Sequence, residues 1–433
     1  MNITREEILS HHLGGKIGLR TIKQLKDLRS LCIAYTPGVA TPVKEISQHP
    51  DDVFKYTAKA NLVAVVTDGT AILGLGDLGP AASIPVMEGK AILFKAFGDV
   101  DGWPVPLDKC RMDGKSTGPT DPERIIDAVC KIAPMYGGIN LEDIAAPACF
   151  RVEDRLCELL DIPVFHDDQW GTAVITLAAI TNYCILSERD IGELRIVING
   201  AGAAGIRIAD TLKVSGARSI TICDSKGVLR SDRTDLNSMK RKHAVDTSAR
   251  TVGDALRDAH VFIGVSVANC VKPEDIQSMA SYPAIFAMAN PDPEIRPDAV
   301  AVAMGNRPYI VATGRSDYPN QINNVLGFPF LFRGALDVRA KSINMEMKLA
   351  AAKALAALAR QPMVKSAQID FYPDEDLVFG KRYLIPKPFD NRLLVEVSHA
   401  VASAAVASGV AQPMDLKQYR TELLKRNEAR QAS

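Results

Sequence analysis

The stretch that decides the fold is LRIVINGAGAAGIRIADTLKVSGARSITICDSK, residues 194–226. Residues 194–199 are a short apolar run of β-branched type closed by a glycine, which predicts a buried strand. Gly200, Gly202 and Gly205 then form a G-x-G-x-x-G turn, a helix rich in alanine and isoleucine follows to about Val214, and residues 218–223 repeat the strand pattern. Strand, glycine turn, helix, strand is a βαβ unit, and its two strands must run parallel because the helix carries the chain back across the sheet. In such a unit the helix N-terminus and the bare backbone of the glycines can face a pyrophosphate. Asp224 ends the second strand, about 24 residues after Gly200, where an acid can hold a ribose hydroxyl. The spacing predicts a dinucleotide site built from Gly200, Gly202, Ala203, Ala204, Gly205 and Asp224.

Outward from this unit, strand-like runs recur at 260–264, 284–288 and 309–312, each ending in glycine or polar residues. Short strands alternating with helix-period segments predict an α/β protein with parallel sheets. Residues 168–187 read as one long buried helix and put a domain boundary near 170. Three segments result: an N-terminal substrate and catalytic domain over 1–170, a Rossmann-type doubly wound dinucleotide domain over 171–332, and a helical segment over 333–433. In the last, 336–360 and 395–410 read as helices packing back on the N-terminal domain, and the basic tail after Lys417 as a solvated helix end.

Composition narrows the function. The chain of 433 residues is 47% hydrophobic and 24% charged, enough for a large core and unlike a disordered chain. Its 51 Lys plus Arg balance 51 Asp plus Glu, so no net field draws it to nucleic acid or an acidic membrane, and a small partner is expected. The eight cysteines include no C-x-x-C pair, against a zinc cage or thioredoxin motif. The first 20 residues are polar, and no apolar run reaches about 18 residues, which predicts a cytoplasmic protein.

A second G-x-G-x-x-G, Gly74 to Gly79, is followed by Pro80 and Pro85 and lacks an immediate amphipathic helix, so it reads as a substrate-site turn. Gly114-Lys115-Ser116-Thr117 resembles the end of a phosphate loop, but that motif needs glycine where Lys109 stands. Two acidic pairs, Glu142-Asp143 and Asp167-Asp168, each close an apolar run. Carboxylates converging there repel unless a cation lies between them, and oxygen ligands favour magnesium or manganese. His166 beside them reads as a packing or supporting group. Lys90 precedes an apolar run that would bury its stem and depress its pKa toward base catalysis, and Tyr35 sits in a Pro37-Gly38 turn that presents a phenol to a cleft. A solvated lysine and a core tyrosine are the plain readings of each alone.

Taken together, AYTPGVA at 34–40, VTDGTAILGLGDLG at 66–79, PVMEGKAILFKAFGDVD at 85–101, GGINLEDIAAPACF at 137–150, PVFHDDQWGTA at 163–173, NGAGAAG at 199–205, MANPDPEI at 288–295 and ATGRSDYPNQINNVLGFPF at 312–330 resemble malic enzyme, in its compact bacterial and archaeal form. The resemblance covers about residues 10–410. It implies oxidative decarboxylation of L-malate to pyruvate and carbon dioxide with reduction of NAD or NADP, a divalent metal, and a homodimer. By motif position it makes Lys90 the base at the C2 hydroxyl, Tyr35 the proton donor to C3, and Glu142, Asp143 and Asp168 the metal ligands. Asp167 becomes a catalytic or supporting acid, and Asn290 and Asn324 hold the malate carboxylate or the nicotinamide end.

Departures from the family pattern raise questions. Large malic enzymes carry a malate-binding arginine where Ala71 stands, so another cation, Lys59, Lys95 or one from a neighbouring subunit, is expected to meet the carboxylate. The segment 110–118 looks long for a compact member and has no functional reading. Fused relatives continue into a phosphotransacetylase-like domain, which is not expected here. Asp224 suits the free ribose of NAD, whereas Ser225, Lys226 and the cluster at Lys240 suit a 2′-phosphate; the reading leans to NADP. An amino-acid-dehydrogenase-like oxidoreductase and a non-catalytic nucleotide sensor are the alternatives, and oxaloacetate decarboxylation is an expected side activity.

Overall fold

The computed structural model describes residues 3–73, 75–116, 118–363, 371–372, 375 and 377–431. Two sheets form the frame. The first joins β1 (Leu62–Thr67), β2 (Asp101–Pro106), β3 (Gly138–Leu141) and β4 (Val164–His166) in the order β2-β1-β3-β4, all parallel. The second joins β5 (Arg195–Asn199), β6 (Ser219–Asp224), β7 (Gly227–Val228), β8 (Val261–Gly264), β9 (Ala284–Ala287) and β10 (Ile310–Thr313) in the order β10-β9-β8-β5-β6-β7. Its strands are parallel except the short β7, which pairs antiparallel with β6. Helices cover both faces of these sheets, so the central strands are buried at every position rather than at alternate ones, as in β3 and β8. The strand order reverses at β5, with β6 on one side and β8 on the other, and the Gly200 turn lies at the carboxyl end of β5, the crevice where open α/β sheets bind ligands.

The segment expected as one helix over 168–187 is a π-turn, Asp167–Gly171, running into the helix Thr172–Ser187. Among the described residues, Asp167–Ser187 is the one helix long and apolar enough to cross a membrane, and 67% of its apolar window is buried inside the protein as core. Asn182 on it donates to the carbonyls of Ala356 (3.0 Å) and Leu384 (2.8 Å), tying it to the C-terminal helices. The helix Phe328–Asp337 packs back on the N-terminal part: Phe328 and Phe332 meet Phe94 of the helix Pro80–Gly98 edge-on at 4.8 and 5.2 Å, and Phe332 meets Phe165 of β4 at 6.0 Å.

Three expectations need correction. The helix read over 336–360 is two helices, Phe328–Asp337 and Met345–Ala359, because Arg339 takes a left-handed φ of 49° and Asn344 caps the second helix by accepting from the Met347 amide at 3.0 Å. The second glycine loop does open a helix, Pro80–Gly98. Pro80 occupies its first position, where no N–H partner is needed, and the small residues that resembled loop are its first turn. The tail helix Leu416–Gln431 is not simply solvated: Tyr419 and Leu423 are buried, and the Tyr419 hydroxyl donates to Asp337 at 3.0 Å.

The N-terminal arm behaves differently from the rest. Its helices Arg5–His12, Leu28–Ala34 and Ala40–Gln48 bury no residue, and Leu13, Leu19 and Ile22 are 86%, 89% and 87% exposed. Lys16 ties the arm to the Pro80–Gly98 helix, its amide donating to Glu88 at 3.0 Å and its ammonium to the Pro85 carbonyl at 2.7 Å. All eight cysteines are unpaired thiols.

Candidate active site

The carboxyl ends of β1, β3 and β4 bring together what lies far apart in sequence. β1 leads into Asp68, β3 into Glu142-Asp143, and β4 into Asp167-Asp168. Lys90 reaches them from the Pro80–Gly98 helix: its ammonium lies 2.9 Å from Glu142 Oε1, hydrogen-bonds Asp167, and stands 4.6 Å from the centre of the Phe328 ring. Burial opposes a charge on Lys90, but Asp167, Glu142 and Asp168 outweigh it and raise its pKa above the ordinary lysine range. The sequence expectation of a depressed pKa is therefore reversed in sign: the carboxylates, not the apolar stem, set it. Asn324 completes the contact, its amide donating to Asp167 Oδ2 at 3.1 Å and to the Asp167 carbonyl at 3.2 Å. A Cβ at Gly171 would collide with Asp167 Oδ1, so the glycine makes room for that carboxylate.

Glu142, Asp143 and Asp168 each offer an oxygen within 4.8 Å of the others. Burial, reinforced by the neighbouring carboxylates, raises Glu142 well above its usual range and pushes Asp143 up to about 7. Asp143 Oδ2 is buried without a hydrogen-bond partner among the described residues, and Asp143 holds a left-handed φ of 52°, secured by its amide donating to Asp168 Oδ2 at 2.9 Å and by the Ala71 amide donating to its carbonyl at 3.0 Å. Crowded acids, an unmatched buried oxygen and backbone held in an uncommon region fit a divalent cation bound by oxygen ligands. His166 lies outside this triad. It is fully buried, its pKa is pushed down to about 4 by burial, and its Nδ1 is 3.8 Å from Asp168.

The dinucleotide turn has the form its sequence predicts. Gly200 has φ 127° and a Cβ there would strike the Val265 carbonyl, while a Cβ at Gly205 would strike the Gly200 carbonyl. A Cβ at Gly202 would meet nothing within 4 Å, which leaves space for a pyrophosphate against the backbone. Ala203 and Ala204 begin the helix Ala203–Val214. Asp224, however, is already engaged: Arg233 grips it with both terminal nitrogens at 2.8 and 3.1 Å, and Lys240 at 2.8 Å. Burial opposes its charge, but these cations and the Lys226 amide hold its pKa down to about 2. Ser225 and Lys226 form the turn from β6 into β7, with Lys226 paired to Asp235 at 2.9 Å. Asn290 is exposed in the loop after β9, against Gly314.

Tyr35 is not brought to Lys90 within one chain. It sits on the N-terminal arm, 68% exposed. Neither lysine suggested as the malate cation points into the site. Lys59 precedes β1, at the opposite end of the strand, and donates to the carbonyls of Ala133, Pro134 and Tyr136 at 3.1, 3.0 and 2.6 Å; Lys95 is exposed and paired with Asp99 and Asp101 at 2.8 and 2.9 Å. The sequence reading missed Arg111, in the segment left without a role. It is 1% exposed and donates to Asp68 Oδ2 at 2.5 Å, the Asp68 carbonyl at 2.8 Å and Asp77 at 3.1 Å. It also missed Arg233, whose only signal was the alternating Arg230, Asp232, Arg233, Asp235 run next to the hairpin.

A glycine turn shaped for a dinucleotide, with a buried lysine ion-paired at a carboxylate triad, is the equipment that a metal-requiring, nicotinamide-dependent oxidoreductase would need. The family models agree: residues 15–157 match the malic enzyme N-terminal domain and residues 170–377 the malic enzyme NAD binding domain. The chain is 50% identical over 414 residues to the NADP-dependent malic enzyme of Halomonas elongata, covering 94% of this chain and 95% of that one. It is 49% identical to the probable NADP-dependent malic enzyme of Rickettsia prowazekii over 97% of its own length, and 48% identical to an NAD-dependent malic enzyme of Rhizobium meliloti over 92%. It spans about half the length of those last two, 54% and 50%. The crystal structure of malic enzyme from Pyrococcus horikoshii superimposes with a TM-score of 0.85 at 38% identity, covering 98% of this chain and 99% of that one. The chain belongs to the malic enzyme family.

Proposed function

We propose that the chain oxidises L-malate at C2 and decarboxylates the product to pyruvate and carbon dioxide, with NADP preferred to NAD, and that it decarboxylates oxaloacetate as a side activity. The observation that carries this reading is Lys90, ion-paired to Glu142 and Asp167 at the edge of the Glu142, Asp143, Asp168 triad. Glu142, Asp143 and Asp168 would hold a magnesium or manganese ion, which would supply Lewis-acid stabilisation of negative charge on the C2 oxygen. The Gly200 to Gly205 turn would hold the NADP that serves as hydride acceptor.

The residues divide the remaining work. Lys90 Nζ takes the C2 hydroxyl proton, and Asp167 and Phe328 fix where that ammonium stands. Of the carboxylates that raise Lys90, Glu142 and Asp168 are also offered to the cation; matching their charge would leave Asp167 alone to hold the proton against burial, which favours the neutral amine. Asn324 holds Asp167 and orients substrate with Asn290. Tyr35 returns a proton to C3 after carbon dioxide has left. Asp224, locked by Arg233 and Lys240, is not free to receive a ribose hydroxyl, and the two cations, with Ser225 and Lys226 beside them, favour a 2′-phosphate.

A homodimer in the cytoplasm accords with this reading. The arm exposes Leu13, Leu19 and Ile22 with Tyr35, a surface that a second copy would bury while carrying the phenol to a Lys90 site. A sedimentation run showing only monomer under assay conditions would contradict the dimer. The test of the chemistry is Lys90→Ala, which should abolish malate oxidation while NADPH still binds. Wild-type turnover in that variant would remove Lys90 as the base.

A further inference from the structure

The helix that opens at the dinucleotide turn also grips the turn that carries the acidic cluster. Arg207 lies on the second turn of the helix Ala203–Val214, and its Nε donates to Gln169 Oε1 at 2.9 Å. Gln169 is fully buried and stands next to Asp168 in the π-turn Asp167–Gly171. The same guanidinium lies 4.6 Å from the centre of the Trp170 ring, 5.2 Å from that of Phe150, and 3.7 Å from Glu153. Glu153 in turn accepts from Trp170 Nε1 at 2.9 Å and from the His166 amide at 3.2 Å. The residue before Asp167 and the two after Asp168 are thus each held by Arg207 or by a group it touches.

We propose that Arg207 is a positioning residue that couples dinucleotide occupancy to cation binding at Glu142, Asp143 and Asp168, acting through Gln169 and Trp170; this rests on the metal reading given above. A planar guanidinium can lie flat on an indole while donating in its own plane, a geometry that a tetrahedral ammonium does not reproduce. The N–H groups at Ala203, Ala204 and Gly205 would meet the pyrophosphate one turn ahead of Arg207. In a close-packed contact, a change in how this helix seats is passed to Gln169 rather than absorbed. Linkage then requires reciprocity: a dinucleotide that tightens the cation must itself be tightened by it.

The test measures free Mn²⁺ by electron paramagnetic resonance, with and without saturating NADPH and no malate, in wild type, Arg207→Lys and Gln169→Leu. Arg207→Lys keeps the charge, Gln169→Leu leaves the guanidinium in place, and thermal melts report whether each variant is folded. In wild type NADPH should tighten Mn²⁺ on the order of 5-fold or more. In both variants that ratio should fall to near one, while Mn²⁺ affinity without NADPH stays within about twofold of wild type, inside the range expected for two sites losing only their coupling. A wild-type ratio of one, or a folded variant that keeps the wild-type ratio, overturns the coupling. Absence of any Mn²⁺ binding in wild type would overturn the metal reading as well, which separates the two failures.

Discussion

Arg111→Met tests the buried ion pair beneath the site. The substitution keeps an unbranched apolar stem but removes three donated bonds, two of them to Asp68, which is fully buried. Asp68 keeps the hydroxyls of Thr70 at 2.5 Å and Thr120 at 2.6 Å, but no cation. Breaking a buried pair from one side typically costs about 3–5 kcal/mol, and the two remaining hydroxyls place this case near the lower end, about 3 kcal/mol. Removing both charges in Arg111→Met/Asp68→Asn should recover at least about half of that loss, because the penalty is mostly the unpaired charge. The damage should also reach the metal ligands: Thr70 Oγ1 accepts from the Ala145 amide at 2.9 Å, and the next residue, Ala71, holds the Asp143 carbonyl. Urea denaturation near neutral pH, with EDTA present, gives the cycle directly. A loss under about 1 kcal/mol for the single variant, or a double variant less stable than either single one, would refute the reasoning.

Two further outcomes follow from the charges described. Arg233→Ala should raise the KM for NADP about 10-fold or more and that for NAD much less, as expected when a charge-assisted hydrogen bond to a phosphate is removed; equal effects on both would take Arg233 out of cofactor choice. Lys348, buried 3.5 Å from the centre of the Trp170 ring, has its pKa pushed down to about 8 by burial, against an ordinary lysine value of 10.5. At this residue the unfolded state therefore holds more protons than the folded one between those values, and the contribution of Lys348 to stability should rise with pH across that window. Lys348→Met should be more stable than wild type below that window by about 2 kcal/mol, the relief of desolvation minus the forfeited cation–π attraction to Trp170, and the advantage should vanish above it. Denaturation curves on either side of the window decide it, and a pH-independent difference would contradict the assignment.

What was legible in the sequence is what local pattern dictates. The Gly200, Gly202, Gly205 turn could be read because Gly200 and Gly205 answer steric demands within a few residues or at the adjoining strand end, while Gly202 leaves the backbone bare. The acidic pairs could be read because each closes a strand, and parallel strands deliver their carboxyl ends to one edge. The contacts that organise the site were not legible, since nothing local couples Lys90 to Asp167, Arg111 to Asp68 or Arg207 to Gln169. The 77-position separation of Lys90 and Asp167 is closed only by the β2-β1-β3-β4 order. Electrostatic sign was also beyond local reading: burial of the Lys90 stem predicts a lowered pKa, and only the converging carboxylates reverse it. The helix read over 336–360 failed for the opposite reason, because its alanine-rich composition outweighed the Asn344 capping signal that divides it.

The most direct test of the central claim is the appearance of reduced nicotinamide on mixing the protein with L-malate and Mn²⁺, with NADP and NAD compared, pyruvate measured as product, and EDTA as control. Equimolar NADPH and pyruvate, abolished by EDTA and faster than with NAD, is the predicted result. Reduced nicotinamide without pyruvate, or turnover indifferent to EDTA, would contradict a metal-dependent oxidative decarboxylation at Lys90 and the Glu142, Asp143, Asp168 triad.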